Sequence, residues 1–393
     1  MKIGIITYHF PYNSGAALQC LALQTALQNL GHEVVIINYR PWYHQNRYTP
    51  KKNILYVMKD AFQAGNKHGY VKRIEKTLLE GYKALKFNMF GAEEFKVCEK
   101  KFSNFVQNYL NETRIYRTLE QLTENPPECD LVISGSDQLW NMALTKGRFD
   151  PAYFISFAPE KCRKVTYAVG ANFPDDTNTL FQIKELIENL DAVSLREEKY
   201  LRSIKRASKD GFPLYQNIDP TLLLDSYVYE RFEAPVSVLP QSSYILTYTM
   251  GDKSQGKVYA IAKKLGQELN LPVIDITGNP SRKNEIFGVN SVKAGPDEFL
   301  TYIKNAEYVI TNSFHGTAFS VIYHKQFVVV PHSKTGNRVT DLLDRIGLNS
   351  RWSNDQETCV KVIKDAIDYS YVDQNINFLK KEAFDYLNTV CTK

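Results

Sequence analysis

Short runs of apolar residues alternate along the first half of the chain with segments whose apolar residues recur at helical spacing. Residues 2–7 are too few for a helix and are rich in β-branched side chains, so they predict a buried strand. Residues 16–30 predict a helix that ends at Gly31, and residues 34–37 predict the next strand. This β-α-β order is typical of a doubly wound sheet.

The same pattern continues along the chain and then starts a second time. Further strands are predicted at residues 131–137, 165–171 and 190–196. Pro235, Pro240 and the polar residues 241–243 indicate a linker. After the linker, strands are predicted at residues 244–248, 272–277, 308–312 and 327–330. Because 393 residues exceed one ordinary core, we predict an α/β chain of two Rossmann-like domains that face a cleft. Their predicted bounds are residues 1–235 and 236–393, the second with C-terminal helices.

One segment, at about residues 45–125, departs from this pattern. It is rich in Lys, Tyr and Phe and has helical periodicity, so we expect a helical insertion or lid. Between Arg47 and Lys101 there are 13 Lys or Arg against 6 Asp or Glu, although the net charge of the chain is only +5. Such an excess is most often a solvated helical face. The alternative is a contact with an anionic membrane surface or with a diphosphate-linked acceptor.

Composition narrows the class of protein. Hydrophobic residues make up 44% of the chain and charged residues 23%, which excludes a disordered or fibrous protein. A net charge of +5 is too small for nucleic-acid binding. The six cysteines form no CxxC pair, which predicts free thiols in a reducing compartment and no zinc site. Since the sequence shows neither a signal peptide nor a membrane-spanning apolar run, we expect a cytoplasmic protein. The sequence contains no metal-ligand cluster, so we expect neither metal nor cofactor.

Polar segments follow several of the predicted strands, and in open parallel sheets ligands bind beyond the carboxyl ends of the strands. Asn13, Ser14 and Gly15 lie between the first strand and the first helix. Free backbone N–H groups at this position suit an anion or a sugar hydroxyl. An ordinary N-cap at Asn13 or Ser14 explains the same residues equally well.

A second polar segment, residues 134–141, follows another predicted strand. We expect Gly135 and Ser136 to contact substrate, and Asp137 to act as a base. Trp140 offers a flat surface on which a sugar ring could stack. The alternative is an Asx-turn that caps the next helix, with Trp140 in the core.

Residues 311–317, Thr-Asn-Ser-Phe-His-Gly-Thr, are the most informative segment. His315 precedes a glycine at the start of a helix of small residues, where it can meet a bound anion and donate a proton near neutral pH. Asn312 and Ser313 are predicted to contact the same substrate. The alternative is a histidine that caps the helix or satisfies buried carbonyl groups. His9 is a weaker candidate of the same type.

Two arginines at further strand ends supply positive charge. Arg196 ends a predicted strand, and Arg338 lies beside Asn337 in the loop at residues 334–338. The planar guanidinium group matches a carboxylate or a phosphate through paired hydrogen bonds, so both arginines are predicted to bind substrate. Asn337, next to Arg338, is predicted to bind it as well. The alternative for each arginine is a solvated surface charge.

Six segments, taken in order, resemble the polysaccharide pyruvyl transferase family. They are residues 6–19, 134–141, 192–198, 219–223, 310–318 and 337–343. Together they extend over nearly the whole chain to about residue 350, whereas the basic segment at residues 45–100 contains none of them.

The resemblance implies a GT-B-like fold, as in glycosyltransferases built from two Rossmann-like domains. It implies phosphoenolpyruvate as donor, a sugar or lipid-linked oligosaccharide as acceptor, and a pyruvate ketal as product. The donor-site histidine of the family corresponds to His315, and the expected arginine clamp is assigned to Arg196 and Arg338. Asp137 is then expected to orient or deprotonate an acceptor hydroxyl.

Two other functions fit the same sequence. The first is a nucleotide-sugar glycosyltransferase, which would need an acidic residue for the ribose; Glu285 and Asp297 are candidates. The second is a non-catalytic protein that binds glycan precursors. The resemblance supports family and fold more strongly than reaction, since one fold hosts many activities.

Overall fold

The first half of the chain forms a parallel sheet with the strand order β2-β1-β3-β5. The computed structural model describes residues 1–44, 51–64, 70–236, 239–251, 253–277, 285–286, 289–332 and 336–392. The strands of this half are β1 (Lys2–Ile6), β2 (Glu33–Ile36), β3 (Leu131–Ser134), β4 (Trp140–Asn141), β5 (Arg163–Thr166), β6 (Ala171–Asn172), β7 (Val193–Leu195) and β8 (Leu214–Gln216). Strands β4 and β6 pair in parallel, as do β7 and β8, and single bridges join β7 to the chain at β5 and just beyond it.

Helices cover this sheet and fill the long segment between β2 and β3. The helices of the first half are α1 (Ser14–Asn29), α2 (Ile54–Ala64), α3 (Tyr70–Phe90), α4 (Ala92–Tyr109), α5 (Leu119–Glu124), α6 (Thr177–Ile187), α7 (Glu198–Ala207) and α8 (Ser226–Tyr229). Four of them, α2 to α5, lie within the segment for which the sequence predicts a helical insertion. Residues 45–50 and 65–69 of that segment lie outside the described residues.

The second half forms a six-stranded sheet with the order β11-β12-β10-β9-β13-β14, parallel except for β11. Its strands are β9 (Ile245–Thr249), β10 (Val273–Thr277), β11 (Glu285–Ile286), β12 (Val289–Val292), β13 (Tyr308–Thr311) and β14 (Gln326–Val329). Its helices are α9 (Gln255–Leu269), α10 (Pro296–Asn305), α11 (Phe314–Ile322), α12 (Gly336–Ile346), α13 (Gln356–Val362) and α14 (Tyr369–Cys391).

Helix α1 is buried on all sides, from Ser14 to Leu27. It packs against β2 of its own sheet and against α10 of the second half. A helix that is buried on every face needs cover all round, and two sheets with their helices provide it. The loop that precedes α1 therefore lies in the centre of the molecule, between the two halves.

The last helix, α14, returns to the first half of the chain. The hydroxyl of Tyr386 donates a hydrogen bond of 2.6 Å to the carbonyl oxygen of Thr166, at the end of β5. Its ring also lies 4.6 Å from that of Tyr215, measured between centroids. The final 23-residue helix thus joins the two halves on the side of β5.

The α/β fold class predicted from the sequence is confirmed, with two parallel sheets of the Rossmann-like kind. The strand predicted at residues 165–171 is interrupted, because Ala168 has a left-handed backbone with φ of 47°. It becomes β5 and the short β6. No helix in the described part of the chain combines the length and the apolarity that a membrane span requires.

Candidate functional site

The predicted loops after β1 and β13 meet directly at the start of their helices. A Cβ atom placed on Gly15 would lie only 2.1 Å from Nδ1 of His315, so only glycine allows this approach. His315 itself is buried in the first turn of α11. The N-terminal turns of α1 and α11 therefore face each other, one from each half of the chain.

Asp219 is the centre of the polar network beside this contact. It is 1% exposed, and its Oδ2 accepts hydrogen bonds from Ser136 Oγ at 2.9 Å and from Arg196 Nη1 at 2.6 Å. Its Oδ1 accepts from the backbone N–H and the hydroxyl of Thr221, at 3.1 and 2.8 Å. In the sequence, Asp219 lies within the matching segment at residues 219–223 but is not among the predicted site residues.

The carboxyl group of Asp219 is held in its charged form. Burial alone would raise its pKa, but His315 and Arg196 outweigh burial and keep the pKa of Asp219 well below its usual range. His315 Nε2 lies 3.8 Å from Asp219 Oδ2, which is too long for a hydrogen bond, and the two groups form an ion pair only when His315 carries a proton on both ring nitrogens.

Arg196 is buried between two carboxylates. Besides its bond to Asp219, its Nε donates to Glu197 Oε1 at 3.3 Å. Its guanidinium carbon lies 4.5 Å from the ring centroid of Phe314, in the second half of the chain. Burial alone would lower the pKa of Arg196, but Glu197 and Asp219 raise it above its ordinary value. Arg196 therefore stays charged. Because it is buried, the alternative of a solvated surface charge is wrong for this residue.

Four buried nitrogen atoms at this site have no hydrogen-bond partner within the described part of the chain. We refer to them as the donor cluster: Gln138 Nε2, Arg196 Nη2, His315 Nε2 and Arg338 Nε. A Cβ atom on Gly170 would lie 2.6 Å from both Arg196 Nη2 and Gln138 Nε2, so these two atoms border the same point of the backbone. Unpaired buried donors cost free energy, and oxygen atoms of an anion would satisfy them.

Arg338 reaches this site from α12. Burial and the charge of Arg196 lower the pKa of Arg338 to about 10, against the opposing effect of Glu197, Asp137 and Asp219. It is still protonated at neutral pH. Asp341, one turn further along α12, accepts hydrogen bonds from Gln216 Nε2 at 3.1 Å and from the backbone N–H of Glu198 at 3.3 Å. The helix that carries Arg338 is thus attached to the first half of the chain.

Several predicted contact residues stabilise the loops themselves. Asn13 and Ser313 are the N-caps of α1 and α11, and accept from the backbone N–H groups of Ala16 at 3.2 Å and Gly316 at 3.4 Å. The amide of Asn312 accepts from the backbone N–H of Met250 at 2.7 Å and donates to its carbonyl oxygen at 2.9 Å. Asn13 Nδ2 also lies 3.5 Å from the sulfur of Met250. Asn312 thus ties the end of β13 to the end of β9 within the second half, and Asn13 reaches Met250 from the first half.

The predicted segment around Asp137 divides into different roles. Asp137 is partly buried and has a left-handed backbone with φ of 77°, a conformation that aspartate adopts more readily than most residues other than glycine. Ser136 belongs to the network of Asp219, whereas Gly135 packs tightly against Ile5 and Thr7. Ser14, the first residue of α1, is buried.

Two candidates from the sequence, Trp140 and His9, are not part of the site. Trp140 is buried, stacks on Phe154 at 4.4 Å between ring centroids and donates to the carbonyl oxygen of Tyr153 at 3.2 Å, so it belongs to the core and offers no surface to a sugar. His9 is satisfied by Glu112 at 2.7 Å and by the carbonyl oxygen of Thr7 at 3.1 Å. Both follow the structural alternative, because each polar atom finds a partner nearby.

Asn337 lies apart from the donor cluster. It is exposed and lines a groove between α7 and α12, together with Arg202 and Asp344. Asn337 and Arg338 are consecutive residues of α12, and consecutive side chains on a helix point about 100° apart. Arg338 can therefore face the site while Asn337 faces the groove. In the described residues, no three His, Cys, Asp or Glu side chains come close enough together to hold a metal ion.

A family model for polysaccharide pyruvyl transferase matches residues 13–334 of the chain. The chain belongs to this family. The match includes the N-cap of α1, Asp219 and the segment around His315. No curated protein sequence is significantly similar to the chain.

Solved structures with a similar fold are distant in sequence. A putative UDP-N-acetylglucosamine 2-epimerase from Listeria monocytogenes has a TM-score of 0.54 at 10% identity, over 98% of this chain and 95% of the other. The UDP-GlcNAc 2-epimerase from Neisseria meningitidis, bound to UDP-GlcNAc, has a TM-score of 0.50 at 10% identity, over 99% of each chain. These similarities concern the fold, and agree with the predicted GT-B-like arrangement of two Rossmann-like halves.

Proposed function

We propose that the protein transfers the pyruvyl group of phosphoenolpyruvate to two hydroxyls of a sugar, forming a pyruvate ketal in surface or exopolysaccharide biosynthesis in the cytoplasm. The observation that carries this proposal is the donor cluster. Its four nitrogen atoms come from both halves of the chain and are buried without partners in the described structure. Phosphoenolpyruvate carries a carboxylate and a phosphate, and both are acceptors that such donors bind.

In this proposal the two arginines divide the two anionic groups. Arg196 Nη2 and Gln138 Nε2 border one point, at Gly170, and would bind one of them. Arg338 Nε would bind the other from the opposite half of the chain. Glu197 and Asp219 fix the guanidinium of Arg196 before substrate arrives, so little reorganisation accompanies binding.

The reaction requires one proton transfer to carbon. The methylene carbon of phosphoenolpyruvate takes up a proton and becomes a methyl group. Two sugar oxygens then bond to the neighbouring carbon, and the bond from that carbon to the phosphate oxygen breaks. Of the two hydroxyl protons, one balances the methyl group and the other leaves with phosphate. His315 is proposed as the acid, or as an anchor for the phosphate, since its Nε2 is one of the unpartnered atoms.

The acceptor is proposed to be a sugar or a lipid-linked oligosaccharide that approaches Asp137. The carboxylate of Asp137 would orient or deprotonate an acceptor hydroxyl. The position of Asp137 at a left-handed turn beside the donor cluster supports this role. The proposal also includes a peripheral contact of the basic helices with the anionic inner membrane surface, because these helices carry the local excess of Lys and Arg.

Replacing His315 by Ala tests this assignment. We expect phosphate release from phosphoenolpyruvate, measured across a panel of acceptor sugars, to fall by about 10²- to 10⁴-fold, the usual contribution of a general acid. His324→Asn is the matched control, because His324 is exposed and pairs with Asp373 at 3.0 Å on the surface. Near-normal turnover in His315→Ala would refute the role of His315.

Calorimetric titration separates the proposal from its alternatives. A pyruvyl transferase binds phosphoenolpyruvate, whereas a nucleotide-sugar glycosyltransferase on the same fold binds uridine or guanosine diphosphate sugars. A non-catalytic glycan-binding protein would bind acceptor sugars without releasing phosphate. Binding of a nucleotide sugar with no binding of phosphoenolpyruvate would overturn the proposed function.

A further inference from the structure

Helix α3 exposes a continuous row of large apolar side chains. Six residues at spacings of three or four are each between 39% and 67% exposed, and we call them the apolar stripe: Tyr70, Ile74, Leu78, Tyr82, Leu85 and Met89. At 100° per residue they occupy an arc of about 120° on one side of the helix. Monomeric proteins seldom leave so long an apolar surface in water, which indicates a surface that binds something.

The flank of α3 beside the apolar stripe makes the contacts within the protein. Gly81 and Ala84 are buried on that side, and a Cβ atom on Gly81 would lie 2.9 Å from the side chain of Met58 in α2. The guanidinium of Arg73 lies 4.1 Å from the ring centroid of Phe62, also in α2. The packing of α2 on α3 therefore reaches one edge of the apolar stripe and leaves its six large side chains exposed.

A row of cations runs beside the stripe. Lys72, Lys76, Lys83 and Lys86 share a neighbouring face of α3, and we call them the lysine row. All four are exposed. A helix with an apolar face next to a lysine-rich face is the pattern that lies in the interface of an anionic bilayer. A second copy of the chain would bring the same lysines to the contact, which argues against self-association.

Helix α4, which follows α3 in the chain, is attached close to the candidate site. Tyr12, next to the N-cap of α1, donates a hydrogen bond to Glu99 of α4 at 3.0 Å and packs its ring 4.8 Å from that of Phe95. Lys101, later in α4, forms an ion pair of 2.7 Å with Glu298 in α10. Helix α4 thus spans both halves of the chain, beside the loop that leads to Gly15.

We propose that the apolar stripe and the lysine row of α3 form a membrane-docking face that inserts into the surface of an anionic bilayer. The stripe enters the boundary between headgroups and acyl chains, and the lysines bind phosphate groups of the lipids. This sharpens the membrane contact included in the proposed function, but it does not depend on the transfer reaction.

Vesicle binding tests this face without any substrate. The full chain is sedimented with sucrose-loaded vesicles of phosphatidylcholine alone, or of phosphatidylcholine mixed with phosphatidylglycerol. We expect binding to the anionic vesicles and a loss of about tenfold or more in the triple variant Leu78→Ser, Tyr82→Ser and Leu85→Ser. The matched control is Phe181→Ser, Tyr227→Ser and Phe378→Ser, whose side chains are 60%, 69% and 62% exposed elsewhere on the protein.

The lysine row has its own variant and control. Lys72→Gln, Lys76→Gln and Lys86→Gln should reduce binding to anionic vesicles and weaken its dependence on salt. Lys263→Gln, Lys361→Gln and Lys381→Gln, on α9, α13 and α14, should leave both unchanged. Circular dichroism would check that each variant is folded, and phosphate release in solution would check that it is active.

Two results would overturn the proposal. One is a wild-type chain that does not sediment with anionic vesicles. The other is a dimer in sedimentation velocity that the Leu78, Tyr82 and Leu85 triple variant converts to a monomer, because the stripe would then bind a second copy. Neither result would contradict the proposed transfer reaction, which phosphate release in solution measures separately.

Discussion

Asp219 shows how one residue organises the candidate site. Its two carboxylate oxygens receive four hydrogen bonds, and it holds Arg196 in the orientation that leaves Nη2 in the donor cluster. We therefore regard Asp219 as a positioning residue and not as a catalytic one. The sequence could not reveal this role, because an Asp-Pro pair is also common in ordinary turns.

Replacing Asp219 by Asn should weaken both the site and the fold. The amide keeps the shape but leaves Arg196 without one of its two carboxylate partners. Breaking a buried ion pair typically lowers the free energy of unfolding by about 3–5 kcal/mol, which urea denaturation would measure. The matched control is Asp210→Asn at an exposed position, which should change neither stability nor phosphate release.

The same variant should change how stability depends on pH. The folded pKa of Asp219 is depressed, so its ionised form stabilises the fold above the ordinary aspartate pKa of about 3.9 and this stabilisation is lost as the pH falls below that value. In calorimetry, Tm of the wild type should fall more steeply than Tm of Asp219→Asn below about pH 4. Parallel profiles would show that the carboxyl group is not stabilised in its charged form.

At the scale of elements, the site depends on how closely α1 and α11 approach each other. Gly15 and Gly316 both lie at helix starts, and an added Cβ at Gly316 would be 2.3 Å from Thr311 Oγ1. Gly15 lets the two helix N-termini meet, whereas Gly316 makes room for Thr311 within the second half. The sequence indicated each helix start separately, but the periodicity of one helix carries no information about its distance from another.

Gly15→Ala tests this approach. The added Cβ would overlap the ring of His315, which must then move away from α1. A displacement of about 1 Å typically costs on the order of 10²-fold in kcat/KM, which phosphate-release kinetics would measure. Gly256→Ala in α9 is the matched control, because an added Cβ there meets no atom within 4 Å. Equal activity of both variants would show that the contact between Gly15 and His315 is not needed.

Sequence periodicity predicted where the strands and helices lie better than it predicted what their surfaces contact. Apolar runs placed β1, β9 and β13 because strands buried on both faces have a simple signature. The apolar stripe of α3 was not recognised, because an apolar face has the same pattern whether it packs inside the protein or lies exposed. The sequence left two environments open for Trp140 for a related reason, and only the position of Phe154 and Tyr153 decides between them.

For the whole molecule, the important feature is that the donor cluster is shared between the two halves. Gln138 and Arg196 belong to the first half, whereas His315 and Arg338 belong to the second. Contacts of Asn13 with Met250, and of Gln216 and Glu198 with Asp341, connect the two halves around this cluster. A ligand with two anionic groups would therefore bridge both halves, and its binding should stabilise the entire chain.

Phosphoenolpyruvate should accordingly raise Tm of the wild type in a concentration-dependent manner. At a concentration 100-fold above Kd, the linked stabilisation is about 2.7 kcal/mol, whereas inorganic phosphate alone should give less because it satisfies fewer donors. Arg338→Gln should abolish most of the shift, since the second half then lacks its charged partner. The control Arg202→Gln, at an exposed residue of the neighbouring groove, should retain it. An unchanged shift in Arg338→Gln would mean that phosphoenolpyruvate binds to the first half alone, and the bridging role of the donor cluster would be wrong.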